Sequence, residues 1–126
     1  MRYMLLIYGD EAVWEAMGPD EQGSQFQAYA DYTNWLIEKG WMRAGEPLHG
    51  TSEATTVRII RDGQTVTTDG PFAETKEQLG GYYIVECENL DQAIEAAARI
   101  PAARGGSIEV RPIADMDLPD AGPEGR

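Results

Sequence analysis

Asp69-Gly70-Pro71-Phe72 opens a run too particular to be generic loop chemistry, and it carries one carboxylate able to do chemistry. Its plain reading is structural. Asp accepts backbone N–H bonds in turns, Gly admits a left-handed backbone, Pro fixes the next bend, and Phe72 would anchor the loop in the core. Its chemical reading sets the Asp69 carboxylate at the mouth of a cleft, where burial would suit it to acid–base work. Histidine is the side-chain type that titrates near neutrality, and the chain holds one, His49. His49 follows Pro47-Leu48 at the end of an extended run, which favours an exposed loop. Paired with Asp69, it would be a general base with an oriented imidazole; nothing in the spacing brings the two together.

Arg58 and Arg111 lie among strand-forming neighbours and are expected on the sheet face opposite the helices, where a charge needs a partner. Glu86 and Glu109 occupy comparable positions, so an internal Arg–Glu network is one reading. The other is that an arginine holds the carboxylate or phosphate of a small ligand, with Tyr82, Tyr83 and Trp41 lining the pocket. Aromatic residues in strands also serve as plain core. Glu74, Lys76 and Glu77 read as a solvated or intersubunit charge cluster, and Cys87 as a buried, inert thiol. There is no G-x-G-x-x-G fingerprint, P-loop, nucleophile elbow or His-rich metal motif.

The elements that must position these groups follow from pattern. Arg2–Tyr8 is a strand that stops at Gly9-Asp10, and Glu11–Gly18 holds about one helical turn. Pro19-Asp20-Glu21 opens a long helix in which Phe26, Tyr29, Ala30, Thr33, Leu36 and Ile37 mark the inward face, and Gly40 stops it. Trp41–Leu48 is extended. Ala54–Ile60 and Gln64–Thr68 flank Arg61-Asp62-Gly63, a hairpin signal. Gly80–Glu88 is a strand, and Asn89 caps a second helix with Leu90, Ala93, Ile94 and Ala97 as its apolar stripe. Ser107–Ile113 is the last strand. Residues 1–113 thus form one domain, and residues 114–126 are an acidic tail expected to be mobile.

Composition sets the limits. At 126 residues and 42% hydrophobic, the chain builds one core and not two. Twenty-two acidic against 10 basic residues give a net charge of −12, a field that repels nucleic-acid phosphates and anionic membranes. One Cys allows no internal disulfide, and one Cys with one His cannot assemble a structural zinc site, so neither metal nor cofactor is expected. No signal segment or bilayer-length apolar run is seen, and the expected location is cytoplasmic.

Strand, helix, strand, hairpin, strand, helix, strand is the order of an α+β ferredoxin-like sandwich with an inserted β-hairpin. Two helices cover one sheet face, yet both faces carry apolar groups: Leu5 and Ile7 on one, Met4 and Leu6 on the other. A second copy stacked on the bare face would give a homodimer.

The run from Asp69 to Tyr83, with Ala54-Thr55-Thr56-Val57-Arg58, Leu90-Asp91-Gln92-Ala93 and Ile108-Glu109-Val110-Arg111-Pro112, resembles the DGPF-domain branch of the YCII-related proteins. The resemblance covers most of residues 1–113 and implies a dimeric α+β barrel with sheets face to face. It also implies a possible His–Asp active pair, with the His on the first helix. That helix has no His here, and the second ends Arg99-Ile100-Pro101 without Asp, so the pair does not carry over. Three functions remain open. One is a dimer binding a small molecule between the sheet and the Asp69–Phe72 loop. Another is a cofactor-independent enzyme using His49 and Asp69, and the third is a regulatory protein-interaction module acting through the acidic tail.

Overall fold

Successive side chains of β1 (Arg2–Gly9) point to opposite faces, and the two faces meet different surroundings. Tyr3, Leu5 and Ile7 are buried, while Met4, Leu6 and Tyr8 are half-buried on the reverse. The structure, a computed structural model, describes residues 1–116. The expected tail from residue 117 onward lies outside them. After β1 come α1 (Glu11–Ala16), α2 (Pro19–Lys39), β2 (Met42–Pro47), β3 (Thr55–Ile59) and β4 (Thr65–Asp69). They are followed by β5 (Gln78–Glu86), α3 (Leu90–Ala98) and β6 (Ser107–Pro112), with 3-10 turns at Thr51–Glu53 and Pro101–Arg104.

Four strands make one sheet in the order β2-β5-β1-β6, with every neighbouring pair antiparallel. β3 and β4 pair only with each other, as a two-stranded sheet. The architecture is mixed α+β and consistent with the ferredoxin-like plan. No helix among the described residues is long and apolar enough to cross a membrane.

Local chemistry sets the helix ends. Asp10 accepts from the Ala12 N–H at 2.9 Å and starts α1. Pro19 opens α2 with Asp20 and Glu21 in its first turn, and the Gly40 N–H closes it on the Ile37 carbonyl at 2.9 Å. Asn89 accepts from the Gln92 N–H at 2.9 Å, while the Gln92 side chain accepts from the Glu88 N–H at 2.9 Å. The first bond satisfies a donor that the opening turn of α3 leaves free, and the second ties the helix to the residue before its cap.

The core lies between α2, α3 and one sheet face, with Leu5, Leu36, Val85 and Ile100 at its centre. Burying a side chain of this size contributes about 1.5–3 kcal/mol. Two inward faces differ from those the sequence pattern predicts. On α2 the buried residues are Tyr32 and Leu36, with Tyr29 and Trp35 packed beside them, whereas Phe26 and Ile37 are exposed. Tyr32 can be buried because its hydroxyl donates to the Ala96 carbonyl at 2.7 Å, and Phe26 instead meets Trp14 of α1 edge-on at 5.3 Å. On α3 the stripe is Ala93, Ala96 and Ala97, continued by Ile100, while Leu90 and Ile94 are exposed. Small side chains let α3 come close to its neighbours, so alanines serve the contact better than the larger residues.

Tyr83 on β5 shows how tightly the sheet's helix face is filled. Its ring lies across Gly45 of β2, where an added Cβ would stand 2.6 Å from a ring carbon. Its hydroxyl is 2.9 Å from Thr33 Oγ1, tying β5 to α2.

Candidate functional site

The base of the β3–β4 pair carries Asp69, one of the residues expected to do chemistry. Thr55 faces Asp69 across the pair. Beyond it the Gly70 N–H donates to the Ala54 carbonyl at 2.7 Å, and Thr56 Oγ1 donates to the Gly70 carbonyl at 2.8 Å. These bonds require Gly70 at φ 95°, a conformation open to glycine and strained for other residues. The left-handed Gly70 of the expected turn therefore holds, without a hydrogen bond to the Asp69 side chain among the described residues. The anchoring of Phe72 does not: its side chain is 80% exposed. The surrounding Gly-, Pro- and charge-rich connection brings no apolar wall against it, so its ring stays in solvent in the single chain.

His49 sits between β2 and the Thr51–Glu53 turn. Its Nδ1 lies 2.8 Å from Glu53 Oε2, and both side chains are largely exposed. Asp69 is also exposed and makes no ion pair with His49. Only Ala54 separates Glu53, the partner of His49, from the strand pair that carries Asp69, yet His49 and Asp69 make no ion pair. Next to them, Glu11 accepts from the Thr51 N–H and Oγ1, each at 2.8 Å, which latches α1 to this turn. Sequence reasoning missed Glu53 because an i,i+4 pair reads as meaningful on a helix, and no helix was expected here.

The sheet face away from the helices is the second region. Cross-strand partners fix its layout: Glu46, Tyr82, Leu6 and Glu109 form one row, and Ala44, Ile84, Met4 and Arg111 the next. The four middle positions are apolar or aromatic, and charges stand at the rim. Arg111 donates through Nε to Glu109 Oε2 at 3.0 Å and pairs with it again through Nη2, which pushes the guanidinium pKa further up. Tyr8 reaches Glu109 Oε1 at 3.5 Å. Arg43, not Arg58, pairs with Glu86, at 3.2 Å.

Arg58 is the residue the sequence misplaces most. It lies on β3 opposite Val66, in the separate two-stranded sheet, and is not a residue of the four-stranded sheet that carries Arg111. It is exposed and makes no ion pair among the described residues. Trp41 is on the helix side, edge-on to Trp35 at 5.7 Å, with Lys39 Nζ 5.2 Å from its ring. Tyr82 is on the reverse face, so the sheet separates these two expected pocket residues.

Two grooves mark the helix side. One, of about 620 Å³, runs between α2 and the Arg99–Arg104 segment. The other, of about 290 Å³, is bordered by Ile94, Ala97, Ile108 and Val110. Neither is lined by His49, Asp69, Arg58, Tyr82, Arg111 or Trp41. Among the described residues no group of three or more His, Cys, Asp or Glu is arranged to hold a metal. Cys87 is buried, its thiol pushed up by that burial and its Sγ 3.6 Å from the Asn89 carbonyl.

Comparison with known proteins adds two findings. Residues 1–117 match the YCII-related domain. An uncharacterized protein of Rhizobium meliloti is 38% identical over 116 residues, which are 90% of this chain and 93% of that protein.

Proposed function

The chain belongs to the YCII-related domain family, and from that premise we propose that it is a homodimeric small-molecule-binding protein. Within the family we assign it to the DGPF branch on Asp69-Gly70-Pro71-Phe72. The two-stranded sheet is then an insertion in the ferredoxin-like plan, and two copies stack their bare sheet faces into an α+β barrel. The observation that supports this reading is the layout of that face. Met4, Leu6, Tyr82 and Ile84 form an apolar centre, and Glu46, Glu109 and Arg111 form a charged rim. An apolar middle with a polar rim is the usual anatomy of a protein interface. The ligand cleft lies between this face and the Asp69–Phe72 loop, whose exposed Phe72 ring becomes a wall of the assembled site. Arg111 and Tyr82 border it, and the expected location remains the cytoplasm.

Native mass spectrometry of freshly purified protein tests both parts. A dimer with a discrete extra mass supports the reading, and Leu6→Asp should give a monomer. A parent protein that is monomeric at micromolar concentration overturns it.

A second reading has its own observation. Glu53 bonds Nδ1 of His49 and leaves Nε2 facing outward, the arrangement of a base with an orienting carboxylate. In this reading the protein is a cofactor-independent acid–base enzyme with His49 as base and Asp69 as the second group. Turnover that survives His49→Ala would end it.

A further inference from the structure

We infer that in the homodimer the β3–β4 hairpins of the two copies join through β3, edge to edge and antiparallel about Val57, into one four-stranded sheet. The inference rests on the homodimer reading and adds a contact within that same pair of copies.

The hairpin is unsupported in the single chain. β3 and β4 pair only with each other, and the hydrophobic core draws no side chain from residues 43–82. A lone two-stranded hairpin is marginal in water, and further strands are the usual remedy. The cross-strand register puts Thr55, Val57 and Ile59 on one face with Thr65, Thr67 and Asp69. Val57 and Ile59 are 59% and 64% exposed there, whereas Thr56 and Val66 on the other face are half-buried.

Backbone pairing shows which groups are free. The Ile60 N–H donates to the Gln64 carbonyl at 2.9 Å and the Gly70 N–H to the Ala54 carbonyl at 2.7 Å. In an antiparallel ladder bonded pairs alternate, so Thr56–Thr68 and Arg58–Val66 are the bonded pairs between these two. The N–H and C=O groups of Thr55, Val57 and Ile59 therefore point away from β4, along an open edge. Those of Thr65, Thr67 and Asp69 point away on the far side.

A second β3 fits the first of these edges. A twofold axis through Val57 sets Val57 opposite its own copy and Thr55 opposite Ile59, and each facing pair exchanges two backbone bonds. Side chains agree with that register. Val57 and Ile59 of both copies collect in the middle of one face. On the other face Arg58 lies opposite Thr56, so no like charges face each other. The same operation on β4 would gather only threonines and Asp69 on the first face. Such polar residues suit β4 to stay an outer edge in water. A strand contact this short does not hold two proteins together alone; the stacked sheets supply the proximity that makes it intramolecular.

Amide hydrogen exchange of the full chain, read residue by residue by NMR, tests the contact against the Leu6→Asp monomer. In the parent dimer the Thr55, Val57 and Ile59 amides should exchange about tenfold more slowly than in Leu6→Asp, with those of Thr65 and Thr67 unchanged. Val57→Pro removes an outward donor and costs no bond to β4. It should remain a dimer and lose the protection at Thr55 and Ile59. Outward β3 amides that exchange as fast in the parent dimer as in Leu6→Asp would overturn the inference and leave the homodimer standing. Protection at Thr65 and Thr67 instead, or protection of Thr55 and Ile59 that survives Val57→Pro, would overturn it as well. A monomeric parent would remove the homodimer reading itself and the inference with it.

Discussion

His49 directs Nδ1 at Glu53 Oε2 across 2.8 Å, from the link before the Thr51–Glu53 turn and not on an α-helix. A carboxylate acceptor places the ring proton on Nδ1, leaving Nε2 as the free lone pair of the neutral imidazole. Nitrogen NMR should therefore find the Nδ1–H tautomer in the parent and a shift toward the ordinary mixture in Glu53→Ala. Because both side chains are largely exposed, that variant should change stability by no more than about 0.5 kcal/mol in urea unfolding. A larger loss would mean that the pair holds the loop and does not merely orient the ring.

Gly45 and Tyr83 supply a prediction about packing. An alanine at position 45 would put its methyl 2.6 Å from the Tyr83 ring, and the ring is held by neighbours on α2 and by Thr33. Gly45→Ala should lower stability by about 1–3 kcal/mol, the usual cost of overpacking a filled core. Gly45→Ala combined with Tyr83→Leu should recover part of that loss. Additive losses in the double variant would count against the clash.

Legibility in the sequence followed the range of the interactions involved. The strands, the two long helices and the Asn89 cap were readable because a 2- or 3.6-residue period and a short capping motif are local. The inward face of α2 was not, because Tyr32 is buried by virtue of a hydrogen bond to Ala96, a partner in another helix. The same limit applies at the site. Arg58 was placed on the main sheet because β3 looks like any other strand, and which sheet a strand joins depends on distant pairing. The Asp69-Gly70 turn was readable from residue type alone, yet the exposure of Phe72 was not, since exposure depends on what packs nearby.

Cys87 should be slow to react. Burial raises its thiol pKa, and only the thiolate attacks a disulfide reagent. At pH 8 the folded protein should react with a soluble aromatic disulfide far more slowly than the protein in strong denaturant. Equal rates in the two states would show that the β5–α3 connection opens readily around the thiol.

Tyr32 gives a prediction whose sign can be worked out. Burial, with smaller contributions from Tyr83 and Tyr29, raises its pKa above the ordinary value of 10.0. The folded state therefore holds this proton more firmly than the unfolded chain. The stabilisation is fully present below pH 10 and is lost as pH climbs from there toward the raised folded-state value. Tyr32→Phe removes the hydroxyl and its bond to the Ala96 carbonyl, and should cost about 1 kcal/mol at pH 8. At pH 11 the parent incurs a proton-linked loss from Tyr32 that the phenylalanine variant escapes, so the gap between the two should narrow. Urea unfolding at both pH values measures it directly. A gap of the same size at pH 8 and pH 11 would mean that the Tyr32 hydroxyl ionises as easily in the folded chain as in the unfolded one, and that its place between α2 and α3 is open to water.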